Sequence, residues 1–265
     1  MQDGDRSAMA DALADAVRAA GDIALRTFRQ PLRQWIKGES SPVSEADIAV
    51  DEFLRQRLLG LEAGYGWLSE ETEDDPARLE AENVWIVDPI DGTRAYLAGR
   101  EDWTVSAALC VSGRPVLGAI FAPVTQELFL AAAGRGATRN GAPIAASPGS
   151  DVEGMKVVGP KRHLNWLASL NSNVIAVPRI GSLALRLARV AQGALDVAFS
   201  GGNSHDWDLA AADLLVHEAG GALTTLAGDT LTYNGSELVH GALLAAGLDR
   251  HAVLINLVRN RSELA

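Results

Sequence analysis

Four apolar residues, Val84-Trp85-Ile86-Val87, run directly into Asp88-Pro89-Ile90-Asp91-Gly92-Thr93. A short apolar run stopped by turn residues is the pattern of a buried strand. The chain must therefore build its interior around a strand whose end carries two acids. On this reading the strand stops at Asp88, whose carboxylate points past the sheet edge, and Asp91 follows in the same tight turn. Two carboxylates this close repel, and one stays protonated unless a cation joins them. Ligands that are all oxygen favour Mg2+ or Ca2+ over zinc. Gly92 and Thr93 then open a short helix ending at Gly99, and their backbone N–H groups offer a phosphate site. A metal pair beside a phosphate cradle is the layout that metal-assisted hydrolysis requires. Taken alone, an Asp-Pro turn and an Asp helix cap explain the same residues structurally.

Around this strand the chain has two textures. Residues 7–29 predict an amphipathic helix, with Leu13, Val17, Ala20, Ala24 and Phe28 on one face, stopped by Pro31. A polar loop over Lys37 to Pro42 leads to a second helix from near Ser44, burying Ile48, Phe53 and Leu54 or Leu58. From Trp103 to Ile144, apolar runs separated by turn residues, including Asn140-Gly141, predict an antiparallel meander. Beyond about Ser150 strands and helices alternate: strands near 156–158, 174–177, 194–199, 222–225 and 242–246, helices near 164–170, 183–192, 209–219 and 251–259. The expected class is α/β (α+β). An N-terminal half, 1–150, carries most of the acids, and a C-terminal half, 151–265, completes the site, with no flexible linker between them.

Three further acidic elements accompany the first. Ser69-Glu70-Glu71-Thr72 follows the aromatic Tyr65 and Trp67, and one of its glutamates can ligate a metal and orient water; such runs are more often solvated loops. In Val43-Ser44-Glu45-Ala46-Asp47-Ile48, Ser44 and Asp47 make a near capping box, a complete structural account beside a metal role for Asp47. In His205-Asp206-Trp207-Asp208, Asp208 lies at a helix start, either complementing the helix dipole or joining Asp88 and Asp91 on a metal.

The formal charge of −11 leaves little cationic surface, so a nucleic-acid polymer is excluded as partner; an anionic substrate would need bound cations to reverse the local field. No apolar run approaches the ~18 residues that span a bilayer, so no membrane partner is expected. Met1 to Arg6 shows no signal-peptide pattern, and Cys110 is the single cysteine, so no internal disulfide can form. A soluble cytoplasmic protein is the expectation.

Taken in order, Asp47, Glu70-Glu71, Asp88 to Thr93, Trp207-Asp208 and Gly220-Gly221 resemble the combined signature of the inositol monophosphatase superfamily, over nearly the whole chain. The resemblance implies a layered α-β-α-β-α fold, Mg2+ dependence with two or three ions, lithium sensitivity, a small phosphorylated substrate and a homodimer. It implies that Glu70, Asp88 and the Ile90 carbonyl hold a first ion, that Asp88, Asp91 and Asp208 hold a second, and that Asp47 and Glu70 lie beside a third. Glu70 and Thr93, with Asp47, would activate the attacking water. Gly92 and Thr93 would bind the phosphate, and Gly181, Ser182 and Asp208 would face the substrate.

Within the superfamily, inositol monophosphatases commonly carry a glutamate six residues before the tryptophan; here that position is Gly201, followed by Gly202-Asn203-Ser204. The 3′(2′),5′-bisphosphate nucleotidases resemble this chain in Trp103 to Leu109 and in Gly181-Ser182. Where they often have a lysine, this chain has Leu185, with Arg186 one step on. Lys161 and Arg162 are candidates to meet a second phosphate. The reading favours the nucleotidase, with inositol-1-monophosphatase or histidinol-phosphate phosphatase as the alternative. A haloacid-dehalogenase-type phosphatase needs its two aspartates two residues apart, whereas Asp88 and Asp91 are three apart. A non-catalytic phosphate-ligand sensor on the same fold is the competing class.

Overall fold

The computed structural model describes residues 3–38, 41–170 and 173–259. Helix α1 (Asp3–Thr27) buries Leu13, Val17, Ala20 and Ala24 along the stripe that their spacing predicts. The predicted polar loop is instead a hairpin of β1 (Gln34–Lys37) and β2 (Ser41–Ser44); residues 39–40 of that prediction lie outside the described residues. Its strands are short and β1 is exposed throughout, so no apolar alternation announces it. Helix α2 (Glu45–Leu59) starts where expected: the Ser44 hydroxyl accepts from the Ala46 N–H, and the Ser44 N–H donates to Asp47 Oδ2 at 2.8 Å. Its buried face is Ala46, Val50, Leu54 and Leu58, so Ile48 and Phe53 sit on its flank, only partly buried.

Next come β3 (Gly66–Ser69), a 3-10 turn (Pro76–Glu80), β4 (Asn83–Asp91) and α3 (Thr93–Leu97). The meander follows as β5 (Thr104–Val111), β6 (Arg114–Ala122), β7 (Glu127–Ala132), β8 (Ala137–Arg139) and β9 (Ala142–Ile144). These form a seven-stranded sheet in the order β3-β4-β5-β6-β7-β8-β9, antiparallel except for the parallel pair β3–β4. Asn140 (φ 50°) and Gly141 (φ 79°) turn β8 into β9, the left-handed pair that a two-residue hairpin needs.

The C-terminal half contributes β10 (Lys156–Val158), α4 (Lys161–Ala168), β11 (Ile175–Ala176), α5 (Leu183–Ala191), β12 (Val197–His205), α6 (Asp206–Glu218), β13 (Gly221–Thr225), β14 (Val239–Gly247) and α7 (Leu248–Arg259). Its five-stranded sheet has the order β11-β10-β12-β14-β13, with β11, β10 and β12 parallel and the β14 pairings antiparallel.

Side-chain alternation stacks the layers. On β4, Trp85 and Val87 face the core under α1 and α2, while Val84 and Ile86 face the core shared with α5 and α6. A sheet covered on both faces reads as a continuous apolar run, as 84–87 does. Helix α6 packs on both sheets, against β4 to β7 and against β12 to β14. It approaches β6 so closely that a Cβ at Gly118 would lie 2.9 Å from the Ala211 carbonyl oxygen. On the outer face of the five-stranded sheet, Trp166 and Leu167 of α4 join Leu254, Ile255 and Val258 of α7 over Val157, Val197 and Phe199. The result is the layered α-β-α-β-α sandwich. Among the described residues no helix is long and apolar enough to cross a membrane.

Candidate metal centre

Strand β4 runs past its predicted stop. Its pairing with β5 is irregular between Asp88 and Asp91, so both acids remain in the strand while the backbone re-aims their side chains. The chain then turns at Gly92 with φ 95°, where a Cβ would lie 3.1 Å from Ser182 N and 3.2 Å from the Asp102 carbonyl oxygen. Only glycine fits both the left-handed angle and this approach.

One carboxylate oxygen from each of Asp88, Asp91 and Asp208 lies within 4.8 Å of the others. Ligand oxygens sit about 2.0–2.6 Å from a bound Mg2+ or Ca2+, so one divalent ion can touch all three. Asp88 is 1% exposed and its Oδ1 has no hydrogen-bond partner in the protein. A buried carboxylate oxygen without a donor is costly unless a cation satisfies it. Burial, then the charges of Glu70, Asp91 and Asp208, pushes the Asp88 carboxyl well above its usual range. Burial and Asp91 do the same to Asp208. The residues present therefore fit a divalent cation.

Asp91 is held from behind. Its Oδ2 accepts the Ser182 hydroxyl at 2.6 Å and the Ala184 N–H at 2.6 Å, and its Oδ1 accepts the Leu183 N–H at 3.1 Å. The carboxylate thus caps the start of α5, where N–H groups lack helix partners. Burial raises its pKa while these bonds lower it. Asp208, in the first turn of α6, accepts the His205 N–H at 2.6 Å.

Glu70 and Asp47 lie around the three. Glu70 begins just beyond β3, where its N–H donates to the Val87 carbonyl at 3.3 Å. Burial, then Glu71, Asp47 and Asp91, pushes its carboxyl to about 7. It lies within electrostatic reach of Asp88 and is not one of the three converging ligands. Asp47 accepts the Ser44 hydroxyl at 2.6 Å on Oδ2, and its Oδ1 lies 3.3 Å from Thr93 Oγ1. It therefore serves both the helix cap and the site. Thr93 Oγ1 is also 3.0 Å from the Ile90 carbonyl oxygen.

Ser182, predicted to face substrate, is fully buried; its hydroxyl contacts Asp91 and Thr104, which places it behind the Asp91 carboxylate. Gly181 packs against Asp102, to whose carboxylate its N–H donates, and a Cβ there would lie 2.7 Å from that of Ala95. Arg162 leans onto the Gly201 carbonyl at 2.9 Å. His205 stacks on Trp207, with ring centroids 4.6 Å apart, at the start of α6.

Several neighbours escaped the sequence reading. Asp51, one helical turn after Asp47, accepts the Thr72 hydroxyl at 2.6 Å and the Ser69 hydroxyl, fixing the Glu70–Glu71 segment. An acid at i+4 on the buried face of α2 was the available signal. Lys37 of β1 donates to the Glu70 carbonyl and lies 3.6 Å from Glu71 Oε2. Asp206, fully buried, pairs with His240 at 2.7 Å and accepts the Asn234 N–H at 2.7 Å, bracing the start of α6.

The inositol monophosphatase family model matches residues 5–263. An inositol-1-monophosphatase of Rhizobium meliloti (strain 1021) is 34% identical over 247 residues, covering 89% of this chain and 92% of its own. The Nus factor SuhB of Xylella fastidiosa (strain Temecula1) is 33% identical over 219 residues, 78% of each chain. The crystal structure of the extragenic suppressor protein suhB from Bartonella henselae superposes with a TM-score of 0.83 at 29% identity, covering 94% of this chain and 97% of that one. These names favour the inositol monophosphatase alternative over the bisphosphate nucleotidase that the sequence reading preferred. With a matching signature, fold and site, this chain belongs to the inositol monophosphatase family.

Proposed function

We propose that the chain is a Mg2+-dependent phosphomonoesterase that hydrolyses a small phosphate ester by attack of water, with inositol 1-phosphate as the first substrate to test. The observation that carries this reading is the convergence of Asp88, Asp91 and Asp208 around the unpartnered Asp88 Oδ1. The residues that would hold the metal are these three with Glu70 and the Ile90 carbonyl, and Asp47 beside them. Bound divalent cations would supply the positive charge that phosphate oxygens require and acidify a water molecule.

The chain's own groups then have distinct tasks. Glu70, beside Asp88 and Asp47, would accept a proton from the attacking water. The Thr93 hydroxyl, between the Ile90 carbonyl and Asp47 Oδ1, donates a hydrogen bond to one of these oxygens, which leaves its own oxygen free to accept from that water and orient it. The Gly92 and Thr93 amides open α3 and would meet the phosphate. Water, not a side chain, would attack phosphorus, so no phosphoenzyme is expected.

The test is phosphate release, with and without Mg2+, from inositol 1-phosphate, 3′-phosphoadenosine 5′-phosphate, histidinol phosphate and fructose 1,6-bisphosphate. Mg2+-dependent release is expected from at least one. Tight binding of these esters without turnover of any would favour a sensor on the same fold.

A further inference from the structure

Three arginines in the described residues have buried side chains: Arg78, Arg186 and Arg250. Two are well supplied with acceptors. Arg78 reaches Asp74 at 2.6 and 2.9 Å, Asn234 at 2.8 Å and the Gly235 carbonyl at 3.1 Å. Arg250 reaches the Asp151, Ser147 and Pro148 carbonyls at 2.9–3.2 Å, with Asp196 at 3.7 Å. Arg186 is different. At 7% exposure it makes a single hydrogen bond, from Nη2 to the Ile180 carbonyl at 2.9 Å; its Nε has no partner, and it joins no ion pair among the described residues. A buried guanidinium left this poor in acceptors is costly, and a missing anion is the natural complement.

Its position says where that anion would sit. The bond to Ile180 draws the guanidinium back to the start of α5, two residues before Ser182, the residue that holds Asp91. Gly181 and Ser182 are the backbone against which the Gly92 turn packs. Arg186 therefore lies beside the phosphate turn, near enough to Asp91 for the two charges to interact, with Arg179 adding a second positive charge. The loops after β10 and β11 and the irregular stretch Gly201–Ser204 of β12 lie at the carboxyl ends of three parallel strands, the edge where ligands enter open α/β sheets. Gly201 and Gly202 leave that edge without side chains.

We infer that Arg186 is a specificity-determining residue, and that the preferred substrate carries a second anionic group, phosphate or carboxylate, on its alcohol portion, which accepts hydrogen bonds from the Arg186 guanidinium. This rests on the phosphomonoesterase reading above and narrows its substrate class. A guanidinium suits either anion, because its planar donors match both geometries.

The experiment compares matched esters. Adenosine 3′-phosphate and 3′-phosphoadenosine 5′-phosphate differ by a second phosphate; glycerol 2-phosphate and 2-phosphoglycerate differ by a carboxylate. Wild-type protein with Mg2+ should show higher kcat/KM for the doubly anionic member of at least one pair, and the pair that responds identifies the anion. Arg186→Met should cut that preference by about tenfold to a hundredfold, mainly through KM, and Arg186→Lys should restore part of it. Calorimetric binding, without Mg2+, of adenosine 5′-phosphate against adenosine, and of glycerate against glycerol, repeats the comparison without turnover, and thermal unfolding checks that both variants fold. No preference in the wild type, or equal loss on both members of the responding pair, overturns the inference while leaving the phosphatase reading intact. Binding of the anionic member that depends on Arg186, in a protein that hydrolyses no ester, upholds the anion site and overturns the phosphatase reading.

Discussion

Replacing Asp88 by Asn separates the two roles that its burial combines. The side chain is almost fully enclosed, its Oδ1 has no donor, and four acids, Glu70, Asp91, Asp208 and Asp47, add to the cost of its charge. Without metal, Asp88→Asn removes a buried like-charge interaction, so the metal-free variant should melt no lower than the wild type and gain about 1 kcal/mol of stability. With metal the order reverses. A cation at a hundred times its Kd stabilises the native state by about 2.7 kcal/mol. For a chain of this size that is roughly 5–10 °C in Tm. The variant should lose most of that gain, and its turnover should fall about 100- to 1000-fold, the scale of one lost charge interaction at the transition state. Thermal unfolding with and without Mg2+, beside phosphate release, gives both readings. An Asn variant with wild-type turnover and an unchanged Mg2+ shift would refute the reasoning.

Other perturbations have smaller expected effects. Ser182→Ala removes a 2.6 Å donor to Asp91 and leaves Thr104 without its partner, so it should cost about 1–2 kcal/mol in denaturant unfolding and weaken Mg2+ binding by calorimetry. Gly92→Ala forces a Cβ into a left-handed turn 3.1 Å from Ser182 N and should cost at least about 1–2 kcal/mol, with activity falling as well. His163 and His251 are buried, and burial lowers both to about 4. The unfolded chain then takes up protons first, so their contribution is complete above about 6.5 and is lost as pH falls towards 4. At about 1.4 kcal/mol per pKa unit, each can remove up to roughly 3 kcal/mol, and Tm measured against pH should show the decline, shallower in His163→Phe.

What the sequence made legible follows from how local each signal is. The acids of Asp88 to Thr93 were readable because an apolar strand ran straight into them, and Ser44 with Asp47 because a cap is written within four residues. Helix α1 and the meander declared themselves through periodicity and turn residues. The hairpin of β1 and β2 did not, because its strands are four residues long and β1, exposed throughout, needs no apolar pattern. The sequence suggests a substrate contact at Ser182 and carries no local signal that Asp91, ninety-one residues earlier, accepts its hydroxyl. Asp51, Lys37 and Arg186 matter through partners distant in sequence or missing from the protein, and neither kind of contact leaves a mark in a spacing rule. The choice between nucleotidase and inositol monophosphatase is poorly written in the sequence, because Trp103 to Leu109, Gly181-Ser182 and Gly201-Gly202 describe the walls of the site and no side chain that reads the alcohol.

The central claim concerns where a cation sits. Crystals of the full chain equilibrated with Mn2+, measured at the manganese absorption edge, would show it as an anomalous peak. The expected result is a peak bound directly by Asp88, Asp91 and Asp208, at about 2.1–2.2 Å from their oxygens. Density that leaves these three carboxylates bare at saturating Mn2+, or that binds elsewhere on the acidic surface, would contradict it.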